Sequence, residues 1–323
     1  MAVIDRPRRG HRRGRWSALL LGGLLSLMAA RLPADDVVGP LGAVGSDTLA
    51  GLMLSWGELL TERHPGVRLQ LQASGSASAP AALAAGTTRL GPMSRSMNEF
   101  EREAFIERHG YPPVELEIAR DALAVIVHRH NPLASLSRRE LDAIFSESRR
   151  CGGERSIERW SQLGVTLPGD RIVLHGRNVA SGTHDLFRLR ALCGGSYRVD
   201  LNEHPGSAAV VAAVAAEPSA IGFAGLNHLT AGVKAVTRRD AAGEAASPTP
   251  QAVRRGDYSL SRSLYLYLNL PPGGALPGPE HAFLELVFSP LGQTVVEEQG
   301  FVVLTEERLA EQREWLDSLP PVE

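Results

Sequence analysis

Ile172-Val173-Leu174 runs into Gly176-Arg177-Asn178-Val179-Ala180-Ser181-Gly182-Thr183, and helical spacing takes over from Gly182 to Leu192. An apolar strand thus ends in a polar turn that opens a helix, and the same grammar occurs twice more. Val44-Gly45-Ser46-Asp47-Thr48 leads into a helix whose apolar face is Leu49, Leu52, Met53, Trp56, Leu59 and Leu60. Val67, Leu69 and Leu71 alternate as a strand, after which Ala73-Ser74-Gly75-Ser76-Ala77-Ser78-Ala79 precedes Pro80-Ala81-Ala82-Leu83. The first N–H groups of a helix have no internal partners, and the helix dipole leaves that end positive. Glycine lets an anion approach the backbone, and Ser and Thr hydroxyls add donors, so a phosphate-sized anion is held there without lysine. One such turn reads equally well as an ordinary cap, because Ser, Thr and Asp are preferred caps. Three together, one with Arg177 just upstream, point to an oxyanion site.

Helix and strand signals alternate along the rest of the chain, which favours an α/β fold. Val114, Leu116 and Ile118 alternate as a strand, and Leu123–Val127 is a continuous apolar run suited to a buried one. Ser137 and Glu140 form a capping box before Leu141, Ile144 and Phe145. Val210, Val211 and Val214 mark a helix, Ile221–Phe223 a strand, and residues 240–252 a loop or linker. Leu264, Leu266, Leu268 and Leu270 alternate as a late strand, followed by helices around 280–289, 291–299 and 306–317. No internal repeat is visible.

The N-terminus has a different character. Six arginines within residues 1–15 precede an apolar run from Trp16 to Ala30, closed by Arg31-Leu32-Pro33-Ala34. A basic head, a short apolar middle and a small-residue exit predict a secretory signal over residues 1–34; a membrane anchor needs about 20 apolar residues. No Cys follows the apolar run, so no lipid anchor is expected. Residues 1–34 hold seven Arg and one Asp, so their removal takes the formal charge from −2 to −8. That balance argues against nucleic acid, which needs a basic footprint. It leaves room for a small anion held by local donors. Cys151 and Cys193 are the only cysteines; in an oxidising compartment an even pair predicts a disulfide. By chain-entropy reasoning, a loop of that length stabilises by up to about 4 kcal/mol.

Taken in order, these residues resemble the phosphate-binding proteins of bacterial phosphate ABC transporters, within the type II periplasmic binding proteins. The resemblance runs over nearly the whole mature chain. It rests on Gly45-Ser46-Asp47-Thr48, the Gly75-Ser76 turn, Leu90-Gly91-Pro92-Met93-Ser94-Arg95, and Gly176-Arg177-Asn178 leading to Ser181-Gly182-Thr183. Pro205-Gly206-Ser207, Ala220-Ile221-Gly222-Phe223, and Phe288-Ser289-Pro290-Leu291-Gly292-Gln293 through Gly300-Phe301-Val302 are similar to the family's later segments. The resemblance implies two α/β lobes joined by crossover strands: 35–120 plus 265–323, and 121–264. An anion is expected between them, with Ser46, Asp47, Thr48, Leu49, Ser76, Ser94 and Arg95 on one side and Arg177, Ser181, Gly182 and Thr183 on the other. Arg177 is the natural bidentate partner for two oxygens. The implied function is capture of inorganic phosphate in the periplasm by a monomer that delivers it to the permease subunits of an inner-membrane ABC transporter.

One position departs from the family pattern. Many relatives carry an Asp after the third strand to accept the hydrogen bond of protonated phosphate; aligned on Gly91, that place holds Ser94. Asp47 or Asp121 is the alternative acceptor, against structural roles as a helix cap for Asp47 and as a partner of Arg95 for Asp121. Sulfate, molybdate and arsenate therefore stay open as ligands, as does a sensor on the same fold. A phosphatase-like enzyme needs a metal or a nucleophile. The chain has no Gly-x-Ser-x-Gly elbow and no His-Glu-x-x-His motif, and His128 and His130 lack further ligands at metal spacing. No catalytic residue, metal or cofactor is expected.

Overall fold

The computed structural model describes residues 37–239, 245–246 and 248–321. The signal read at 1–34 lies outside the described residues, as do 240–244 and 247 of the expected linker. The described strands are β1 (Val38–Val44), β2 (Gly66–Gln72), β3 (Leu90–Met93), β4 (Val114–His128), β5 (Ser135–Ser137) and β6 (Val173–Arg177). They continue with β7 (Asn202–His204), β8 (Ala220–Gly225), β9 (Val233–Ala235), β10 (Thr237–Arg239), β11 (Ala245–Ala246) and β12 (Ser261–Leu268). One sheet runs β2-β1-β3-β12-β4-β8-β6-β7 with β9 beside β4, and β11-β10-β5 form a small second sheet.

Two parallel arrays lie within the large sheet. β1 pairs in parallel with β2 and β3, and β6 with β7 and β8. Between them β12 runs antiparallel to β3 and β4, and β4 antiparallel to β8. Parallel strands need helices on their faces, and each array has its own apolar core. The first gathers Leu41, Leu52, Trp56, Ile118, Leu264, Leu266 and Phe283; the second gathers Leu123, Val125, Ile144, Phe145, Phe187, Phe223 and Leu260. β4 leaves the first core after Ala119 and enters the second at Ala122, while β12 begins next to Leu260 of the second and carries Leu264 into the first. Trp56 pins the first core: it packs edge-on to Phe283, and its Nε1 donates to the Gly292 carbonyl at 2.9 Å. Truncating so large a buried ring costs about 3–5 kcal/mol.

Two sequence expectations are revised here. The apolar stretches 114–118 and 123–127 form one strand, not two. Arg120 and Asp121 do not break it, because Arg120 exchanges backbone hydrogen bonds with Val302 (2.8 and 2.9 Å) and Asp121 faces Arg262 across the β4/β12 ladder. Within the stretch read as a linker, Thr249 caps a short helix, Pro250–Arg255: its side chain accepts from the Ala252 amide, Pro250 occupies the first turn, and Gly256 ends it at φ 77°. Proline at a first helical position has lost only an N–H that would lack a partner there.

The Ser137/Glu140 capping box forms as expected. Cys151 and Cys193 are bonded, with Cα atoms 5.5 Å apart. Cys193 stands two residues beyond the Gly182–Ala191 helix, so the bridge braces the far end of the element whose beginning carries the third turn. Among the described residues no helix is long and apolar enough to cross a membrane.

Candidate anion-binding site

The three turns converge. β1 ends at Val44, and the first turn is fixed by the Gly45 amide on the Gln72 carbonyl (2.9 Å) and the Ser46 amide on the Pro92 carbonyl (2.7 Å). A Cβ at Gly45 would run into that Pro92 carbonyl, so only glycine fits. The helix Ala50–Arg63 follows with buried Leu49 at its N-cap, and no side chain caps it. Asp47 is therefore not the cap that its position allows. The first amide of this helix, that of Ala50, turns back to the Asp47 carbonyl at 3.1 Å, so the amides available to a ligand are those just before it, at Thr48 and Leu49.

The second turn locks onto the first and touches the third. Gly75, at φ 112°, donates to the Gly45 carbonyl at 2.8 Å. The next residue but one, Ala77, donates to the carbonyl of Ala180 at 3.1 Å. Ser76 is fully buried; its Oγ accepts from the Ser94 amide (3.0 Å) and lies 3.1 Å from the Ser94 hydroxyl. A Cβ on Gly182 would come 2.7 Å from the Ser76 Oγ and 2.6 Å from the Ser94 Oγ, so the helix start of the third turn rests directly on these two hydroxyls. Ser181 caps that helix by accepting from the Thr183 amide (3.1 Å), which leaves its hydroxyl proton free to point outward. Thr48 and Thr183, both buried, face each other with oxygens 3.4 Å apart. The Ser46 hydroxyl is buried without a hydrogen-bond partner. Uncharged donors thus surround one spot from elements of both cores.

Arg177 ends β6 and is completely buried. Its Nε donates to the His204 carbonyl (3.3 Å), Nη1 to the Ser207 hydroxyl (3.2 Å), and Nη2 to the Pro205 carbonyl (2.8 Å) and Asp47 Oδ1 (2.6 Å). Four of the guanidinium's five N–H groups are engaged, so the arginine is rigidly aimed, and one Nη1 hydrogen remains: it offers an anion a single donor here, not the bidentate pair expected from the sequence. The Asp47 contact ties the first turn to the third across 130 residues of sequence. A carboxylate beside this guanidinium is an acceptor for a protonated oxyanion.

Arg95 is placed differently from expectation. Its guanidinium is held in bidentate fashion by Glu101 (2.7 and 2.6 Å), and its Nε lies 3.0 Å from Asp185. Burial opposes the charge of Arg95, but Glu101 and Asp185 outweigh it and raise its pKa. Its head therefore braces the rim while its stem packs near Gly182. Asp121 likewise does not pair with Arg95. Both Nε and Nη2 of Arg262 donate to its Oδ2, at 3.0 and 2.6 Å, in a pair buried on both sides.

Arg262 is the residue that the motifs did not single out. From the start of β12 its Nη1 reaches the Thr183 hydroxyl (3.0 Å) and the Ser94 carbonyl (3.2 Å). The signal was present in the alternation: Arg262 is in phase with buried Leu264, Leu266 and Leu268, so a cation stands where a core side chain is expected. With Arg177 against Asp47 and Arg262 against Asp121, the charged side chains of the site sum to zero. His228 lies close enough to feel all four; burial holds its pKa below the usual imidazole value, with Arg177 and Arg262 adding to that and the two acids opposing it. His128 and His130 pack ring against ring, with His128 Nδ1 accepting from the His130 amide at 3.2 Å, and among the described residues no group of three His, Cys, Asp or Glu side chains could hold a metal.

A family profile described as the PBP superfamily domain matches residues 33–291. The chain is 44% identical over 276 residues to the phosphate-binding protein PstS of Pseudomonas aeruginosa, covering 84% of this chain and 85% of that one. Its fold is similar to a candidate phosphate ABC transporter substrate-binding protein of Clostridium perfringens solved with bound phosphate (TM-score 0.69, 23% identity, 83% and 100% of the two chains). An ABC-type phosphate transport receptor of Vibrio cholerae is alike in the same way (TM-score 0.64, 21% identity, 81% and 99%). The chain belongs to the PBP superfamily and, within it, to the family of the PstS phosphate-binding proteins.

Proposed function

We propose that this chain captures inorganic phosphate in the periplasm, without chemistry, and hands it to the permease subunits of an inner-membrane ABC transporter. The observation that carries the reading is the convergence of three glycine-containing turns, with buried hydroxyls and Arg177, on a site of zero net side-chain charge. Relatives named for phosphate binding, not for catalysis, support it. The ligand contacts in this proposal are the Thr48 and Leu49 helix start, the Ser46, Ser76, Ser94, Ser181 and Thr183 hydroxyls, the Gly182 amide and the free Nη1 of Arg177. Asp47 accepts the ligand's proton in the role that many relatives give to an Asp at the place of Ser94. Sulfate carries no such proton, and the carboxylate repels it.

The lobes in this proposal are 35–120 with 265–323, and 121–264. The change of core along β4 and β12 supports that division. A monomer that hinges about these two strands closes over the anion, and residues 1–34 are the secretion signal removed on the way. Hydrogen bonds to a charged group contribute about 1.5–3 kcal/mol each by deletion, so several of them exceed the roughly 8 kcal/mol of a micromolar complex after dehydration is deducted. Titration calorimetry of the secreted chain with phosphate, arsenate, sulfate and molybdate tests the reading. Heat and micromolar or tighter affinity for phosphate are expected, with sulfate much weaker; silence with all four anions at millimolar concentration overturns it.

A further inference from the structure

Arg262 deepens the oxyanion reading above and rests on it. We infer that Arg262 is a positioning residue of the site: held by Asp121, it turns the Thr183 hydroxyl into an obligate donor toward the bound anion. A threonine hydroxyl has one proton to give and accepts through its lone pairs. Because Arg262 Nη1 donates to Thr183 Oγ1 at 3.0 Å, that contact uses a lone pair, and the hydroxyl proton must point elsewhere. The remaining polar neighbour is Thr48 Oγ1 at 3.4 Å, on the first turn, and the proposed function places the anion between these turns. The same Nη1 also holds the Ser94 carbonyl at 3.2 Å, next to the Ser94 hydroxyl that faces Ser76.

Asp121 makes this arrangement rigid and electrically quiet. It takes two donations from Arg262 and also accepts from the Ala122 amide at 2.7 Å, and Asp121 and Arg262 are register partners on adjacent strands. The guanidinium therefore cannot swing into the site to meet the ligand as a bare cation. Its effect on an anion passes through the Thr183 hydroxyl, and the bond to the Ser94 carbonyl only helps to hold the guanidinium in place. Since β4 and β12 are the strands that join the two cores, the ligand is coupled through one hydrogen bond to the strands about which the lobes would turn.

A double-mutant cycle tests the inference by phosphate titration calorimetry. Removing Arg262 alone strands a buried carboxylate and endangers folding, so the variant is Arg262→Met with Asp121→Asn, measured alone and together with Thr183→Val. The neutral pair variant should bind phosphate about 10- to 150-fold more weakly, the range of a hydrogen bond to a charged group. In the Thr183→Val background the same change should cost less than about threefold, because the bond that it acts through is already gone. Arg262→Lys, which keeps a donor near Thr183, should recover part of the affinity. Equal losses in both backgrounds, or unchanged affinity of the pair variant, overturn the inference while wild-type binding still stands. A wild-type protein that binds no tetrahedral anion overturns both this inference and the reading beneath it.

Discussion

The helix Gly182–Ala191 has arginines near both ends, and the two neighbourhoods behave oppositely. At its beginning, Gly182 and Thr183 meet the Ser76, Ser94 and Thr48 hydroxyls, with Arg177 behind them. Toward its end, Leu186, Arg188, Leu189 and Arg190 line a cavity of about 650 Å³ together with Arg95, Arg120 and Arg262. The proposed function places the anion at the tight end and not in this arginine-rich space, because the arginines here are already engaged. Arg95 is spent on Glu101 and Asp185, Arg120 on Glu117, and Arg262 on Asp121. Arg188 and Arg190 lie in the last turn, where cations offset the negative end of the helix dipole. The tight end offers the positive end of the dipole, open amides and hydroxyls already aimed. Recognition of an anion follows the direction of donors, not the count of guanidinium groups or the volume of a cavity.

Breaking the tight end should give the largest effect. Arg177→Ala should weaken phosphate binding by about 2–5 kcal/mol, the cost of truncating one partner of a buried, hydrogen-bonded charge pair formed with the ligand, as read by calorimetry. At the far end, replacing Cys151 and Cys193 by Ser should lower unfolding free energy by about 2–4 kcal/mol in urea melts. Phosphate affinity should change far less, since the bridge braces the helix beyond its ligand-facing turn. Asp47→Asn leaves Arg177 hydrogen-bonded but gives the site a net positive charge. The ratio of phosphate to sulfate affinity should fall by at least about tenfold, or about 1.4 kcal/mol; an unchanged ratio would remove Asp47 as the reader of the ligand's proton.

A subtler contrast involves pH. His175 and His204 stand behind Arg177, with Nδ1 of the one 2.9 Å from Nε2 of the other, and burial chiefly lowers the pKa of both, as it does for His228. A histidine that resists protonation when folded but takes a proton near pH 6.5 when unfolded favours the unfolded chain in acid. Stability should therefore be full above about pH 6.5 and decline as pH falls below it toward the folded values. Urea midpoints at neutral and mildly acid pH measure this, and replacing His175 with Gln should flatten the profile. The smallest effect belongs to the cavity: Arg190→Ala should leave phosphate affinity within about twofold, as expected for an exposed charge. A tenfold loss there would move the anion site to the wrong end of the helix.

Much of this was legible beforehand, for local reasons. The strand–turn–helix sequences at 44–49, 71–80 and 174–183 depend on glycine at tight turns and on apolar spacing, and each reports its own neighbourhood. Ser137 with Glu140 declared a helix start on the same grounds. The Pro250–Arg255 helix was missed because Ala, Pro and polar residues read as a linker, although Thr249 and Pro250 are an ordinary start. Arg95 was drawn toward the ligand by its place beside Ser94. What pulled it aside was Glu101, whose carboxylate also closes the capping box with Asn98. Nothing local announces that one carboxylate serves both.

By itself the order of residues was enough to establish alternating α/β elements, three turns able to hold an oxyanion, a disulfide pair and a family resemblance, because backbone preferences and side-chain periodicity act over a few residues. Only the folded chain decided that Asp47 answers Arg177 and that Asp121 answers Arg262, partners 130 and 141 residues apart. Such pairings follow from strand register and from the approach of turns belonging to two separate cores. At the proposed site, whose hydroxyls are buried, those distant choices fix which hydroxyl protons would remain for an anion.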